Sequence, residues 1–62
     1  MSDHLSLPRD PAMLLSYVNT QLRDNYNSLE ELCRALDADE HAIRETLSGI
    51  DYVYDATLNQ FV

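Results

Sequence analysis

The chain contains no lysine and no tryptophan, and only one cysteine, one glycine and two prolines among its 62 residues. Each scarcity excludes something. One cysteine cannot close an intramolecular disulfide, so this is not a disulfide-stapled secreted scaffold. One glycine cannot build a glycine-rich phosphate cradle. No apolar run approaches the ~20 residues that a bilayer-spanning helix needs. The first residues, Met1-Ser2-Asp3-His4-Leu5-Ser6, offer neither a basic start nor an apolar stretch, so no secretory signal is expected and the cytoplasm is the expected compartment. Positive charge is scarce too: four arginines face 11 acids, for a net charge of −7. The imbalance sits in the second half, where residues 28–62 hold eight acids against Arg34 and Arg44. Such a surface repels phosphate backbones and acidic membranes at long range.

What is present points to a folded domain. Hydrophobic residues make up 45% of the chain and recur at regular spacings, which disordered segments lack. A chain this short buries only ~60% of the surface its unfolded form exposes, so good helix caps, a tight core or self-association must support it. Residues 1–9 show no periodicity and are expected to form a flexible tail, with Leu5 or Leu7 tucked against a single domain over residues 10–62.

Asp10 suits an N-cap and Pro11 the first helical position, where its missing N–H costs nothing. Leu14, Leu15, Val18 and Leu22 then fall on one stripe, predicting a first helix over about 11–25. Ser28-Leu29-Glu30-Glu31 reads as a capping box, in which Ser28 accepts from Glu31 N–H and Glu31 reaches back. Leu29, Leu32, Cys33 and Leu36 follow at helical spacing, predicting a second helix over about 29–36. Asp39 caps a third, over about 40–48, with Ile43 and Leu47 inward. Gly49, the only glycine, falls where a left-handed C-terminal cap is wanted. Beyond it the period changes to two. Ile50, Tyr52 and Tyr54 share one strand face and Asp51, Val53 and Asp55 the other. Asp55–Asn59 reads as a hairpin loop with Asn59 left-handed, so strands over about 51–55 and 59–62 are expected. The fold class is thus mostly α with a small C-terminal β-hairpin, in the winged-helix-like order of a helix-turn-helix followed by a wing.

A DNA reader presents basic and amide groups on its second helix. Here the outward groups of the third helix include Glu40, His41, Arg44 and Glu45, and the hairpin adds Asp51 and Asp55, so direct DNA binding is not expected. Cys33 and His41 are the only nucleophile-and-base candidates, but Cys33 lies on an apolar stripe and nothing evident orients His41. The run Asp37–His41 is acidic without being a calcium loop, because its sixth and twelfth positions from Asp37 are Ala42 and Ser48. Helix capping explains those acids. No catalytic residue, metal or cofactor is expected. Tyr52 and Tyr54 are expected to pack the hairpin onto the helices, with an aromatic protein-contact surface as the alternative. An exposed hairpin edge can also accept another strand.

Certain residues carry a resemblance. They are Leu7-Pro8-Arg9-Asp10-Pro11, Met13-Leu14-Leu15-Ser16, Val18-Asn19, Leu22-Arg23-Asp24, Tyr26, Ser28-Leu29, Leu32-Cys33, Tyr54-Asp55 and Asn59-Gln60-Phe61. Together they resemble a family of short bacterial proteins catalogued only as a domain of unknown function. The resemblance spans residues 7–61 and implies a small cytoplasmic bacterial protein; it implies no activity, cofactor or catalytic residue. Asn19 and Arg23 stand one helical turn apart and are polar, which suits either hydrogen bonding to the loop or hairpin or a contact surface. The expected function is a non-catalytic protein–protein interaction module, binding a partner protein or itself. Its candidate surface is Asn19, Arg23, Tyr26, Tyr52 and Tyr54. The alternative is a winged-helix-like nucleic-acid-associated regulator acting through a partner, which requires Arg9, Arg23, Arg34 and Arg44 to gather on one face.

Overall fold

The computed structural model describes residues 7–62. Three helices, α1 (Pro11–Asp24), α2 (Leu29–Leu36) and α3 (Glu40–Ser48), precede an antiparallel hairpin of β1 (Tyr54–Asp55) and β2 (Gln60–Phe61). Leu7 packs against the core, whereas Leu5 lies outside the described residues.

All three helices start as their cap residues dictate. Asp10 accepts from Met13 N–H, Ser28 from Glu31 N–H, and Asp39 from the N–H groups of His41 and Ala42. The capping box differs in one detail. Glu31 accepts from Asn27 N–H at 2.7 Å, one residue upstream of the box's usual partner.

The helix ends correct one expectation. Gly49 stays right-handed, at φ −64°. The chain continues for almost another turn, and the left-handed residue is Asp51, at φ 70°. Tyr52 N–H donates to Leu47 C=O and Asp51 N–H to Ser48 C=O, both at 2.9 Å. This is the Schellman pattern. The extension has a cause: it keeps Ile50 on the inner stripe of Ile43 and Leu47, packed on the core. The end of α2 has the same design, with Asp37 at φ 56° and Ala38 N–H donating to Cys33 C=O at 2.8 Å. Aspartate adopts this conformation more readily than most side chains, though less freely than glycine.

The same turn shortens the first strand. Asp51 belongs to the helix end and Tyr52 N–H is committed to Leu47, so pairing begins only at Val53. Val53 and Val62 exchange both backbone hydrogen bonds, Tyr54 stands opposite Phe61, and Asp55 stands opposite Gln60. The expected strand over 51–55 is therefore a ladder over 53–55. Ile50, Tyr52 and Tyr54 all pack against the core, but only Tyr54 does so from a strand. In the loop, Asp55 Oδ1 accepts from the N–H groups of Thr57 and Leu58, and Asn59 is left-handed at φ 54°.

The core holds Leu14, Val18 and Leu22 from α1, Leu29, Leu32 and Cys33 from α2, Ile43 and Leu47 from α3, and Phe61. Phe61 is the single buried side chain of the hairpin, and it stacks tilted against Tyr54 with ring centres 5.5 Å apart. No described helix is long and apolar enough to cross a membrane.

Candidate functional site

Two asparagines and one tyrosine fix the hairpin in place. Asn19, on α1, uses both ends of its amide on one residue: Nδ2 donates to Phe61 C=O at 3.2 Å and Oδ1 accepts from Phe61 N–H at 2.8 Å. In the antiparallel ladder the Phe61 backbone groups point away from β1, so this side chain occupies the outer edge of β2 as a neighbouring strand would. Asn59 does the corresponding work from the loop. Its Nδ2 donates to Leu22 C=O at 3.1 Å and Tyr26 C=O at 3.0 Å, and its Oδ1 accepts from Tyr54 Oη at 2.6 Å. Tyr54 Oη in turn accepts from Leu29 N–H at 3.3 Å, one of the unpaired donors at the start of α2. The network links the end of α1, the start of α2 and both ends of the hairpin loop. No buried side-chain polar atom lacks a partner among the described residues.

Among the described residues, depressions lie around this fixed frame. One, of about 320 Å³, lies between α3 and the hairpin and is bordered by His41, Arg44, Glu45, Tyr52 and Tyr54. The Arg44 guanidinium sits 5.5 Å from the Tyr54 ring centre, while its nitrogens donate to Glu40 at 2.8 and 3.0 Å. A second, of about 400 Å³, is bordered by Arg23, Tyr26, Leu58 and Asn59. A third, of about 360 Å³, lies between the chain start and α3, against Leu7, Arg9, Ala38 and Ile43.

The five sequence-derived candidates separate accordingly. Tyr52 and Tyr54 border the first depression, and Arg23 and Tyr26 the second. Asn19 is occupied with Phe61. The Tyr26 backbone and the Tyr54 hydroxyl meet through Asn59. Arg23 is exposed and pairs with its neighbour Asp24, whose carboxyl it holds below the usual range mainly by hydrogen bonding. Of the other arginines, Arg34 pairs with Glu30, and Arg44 and Arg9 border different depressions. No one depression is bordered by more than one of the four.

Sequence reading missed two features. The first is Asn59, singled out only for its backbone. The second is the pair Val53 and Val62, which stand side by side on the face opposite Phe61 and are 64% and 49% exposed. The sequence carries a signal: Val53 lies between Asp51 and Asp55 on the polar strand face, where an exposed valine needs a reason.

Cys33 is buried, and desolvation above all, reinforced by the charge of Glu40, raises its thiol pKa. His41 is exposed, with Nε2 at 3.6 Å from Glu45 Oε2. No group of three or more potential metal-ligating side chains occurs among the described residues.

A family model matches residues 8–61, nearly the whole chain. The chain belongs to that family, described as Domain of unknown function (DUF4250). The expected resemblance is therefore a membership, and it extends through the hairpin that carries Asn59 and Phe61. No curated protein and no solved structure matches the chain.

Proposed function

We propose that this protein is a non-catalytic protein–protein interaction module, winged-helix-like in its order of elements. The observation that carries the reading is the hairpin itself. Its position is fixed by amide side chains, yet it presents Val53 and Val62 to solvent beside the Tyr52 depression. A preorganised surface with exposed apolar side chains loses little entropy on association. The buried free thiol of Cys33 suits a reducing compartment, which favours the cytoplasm. The reading of a nucleic-acid regulator gains no support, because three of the four arginines are paired with acids.

The test compares the wild-type chain with Val53→Ser/Val62→Ser, both checked for unchanged circular dichroism. Each is tagged and used at low salt to capture proteins from a lysate. A stoichiometric protein held by the wild type and lost with the double variant supports the module. Equal recovery by both sinks the assignment to this surface, and nucleic acid recovered without protein sinks the module itself.

A further inference from the structure

The two outer edges of the hairpin are unequal. At β2, the Phe61 N–H and C=O are taken by Asn19. At β1, the equivalent residue is Tyr54. Its neighbours Val53 and Asp55 face β2 with their backbone groups, so the Tyr54 N–H and C=O point outward. Neither has a hydrogen-bond partner among the described residues, and the same holds for Tyr52 C=O. Beside this edge lies the depression bordered by Arg44, Glu45 and Tyr52, and next to it stands the exposed Val53.

We propose that the open edge of β1, centred on Tyr54, takes an extended segment of a partner protein as an added strand, in which apolar and basic residues alternate. This rests on the interaction-module reading above. Strand addition fits because an unpaired N–H and C=O on one residue are what an extended backbone satisfies. Alternation fits because successive side chains of an added strand point to opposite faces. Those on one face extend the Val53–Val62 patch, and those on the other lie over the depression that Glu45 borders. Basic character follows from charge. Glu40, Glu45, Asp51 and Asp55 lie on the elements around the edge, and the single nearby arginine, Arg44, is already bound to Glu40. The same charge argues against a second copy, since two chains of net −7 repel on approach.

The test uses the full chain, labelled with ¹⁵N, and ten-residue synthetic peptides in which Lys alternates with Val, Leu or Tyr. At least one peptide should shift the Tyr54 amide resonance saturably and slow its hydrogen exchange. N-methylation of every second peptide bond should weaken binding about tenfold or more, as should exchanging Lys for Glu. Glu45→Gln/Asp51→Asn should weaken it about 3-fold or more at low salt, with the difference lost at high salt. Binding that survives N-methylation, or that maps to Leu7 or Leu58, overturns the strand edge while leaving an interaction module in place. Tyr54 protection that rises with protein concentration alone makes the occupant a second copy and overturns the basic segment. No shift with any peptide overturns the proposal, whereas the capture experiment above decides the module separately.

Discussion

Single residues decide how this fold is closed. Asp37 and Asp51 occupy the left-handed positions that end α2 and α3, where glycine is usual. Asp37→Gly and Asp51→Gly should each stabilise the protein by about 0.5–1 kcal/mol, because glycine removes a steric penalty larger than the entropy it adds to the unfolded chain. A higher urea midpoint at unchanged m-value checks this. Cys33 gives a second residue-scale expectation. Its thiol is raised above the ordinary 9.0 chiefly by burial. The folded state therefore holds the thiol proton at pH values where the unfolded chain has lost it. Any stability linked to this proton is present below the unfolded value and declines as pH rises past it toward the folded value. Cys33→Ala should flatten that decline in urea titrations above about pH 9. In the native protein a thiol reagent should modify Cys33 slowly, and quickly once urea unfolds the chain.

The elements show why some of the fold was legible and some was not. The caps at Asp10, Ser28 and Asp39, the helical stripes and the left-handed Asn59 are local signals, and each lies within a few residues of what it controls. The bounds of α3 agree with the sequence, but the left-handed residue beyond it is Asp51 and not Gly49: glycine is the strongest local cue for that conformation, and core packing of Ile50 outweighs it. The tethering of the hairpin is legible only in part: the polar Asn19 on the first helix suits a bond to the hairpin, and it reaches Phe61 across 42 positions, but nothing local marks Asn59, which reaches Leu22 and Tyr26 across 37 and 33. A two-stranded hairpin is marginal alone. Asn19→Ala leaves both Phe61 backbone groups short of their partner and should cost about 1–3 kcal/mol. The Phe61 amide should then exchange with solvent faster than the amides of α1, which hydrogen-exchange NMR reads directly.

For the molecule as a whole, charge is the dominant liability. Net −7 on 62 residues is self-repulsion that the compact state concentrates. The described ion pairs relieve little of it. Arg23–Asp24, Arg34–Glu30 and Arg44–Glu40 are all local, and side chains in the first two are half to three-quarters exposed. Raising sodium chloride from about 10 mM to about 300 mM should therefore increase Tm by about 2–5 °C, through screening. A fall would mean that the ion pairs outweigh the repulsion.

The Asn19 amide on the edge of β2 has a further consequence for how copies of the chain can meet. Endless stacking of strands requires every unit to offer two free sides, one to receive and one to extend. Here a side chain from α1 occupies one side. Growth through the hairpin therefore stops after a single joining event, and Asn19 acts as a chain terminator against fibres.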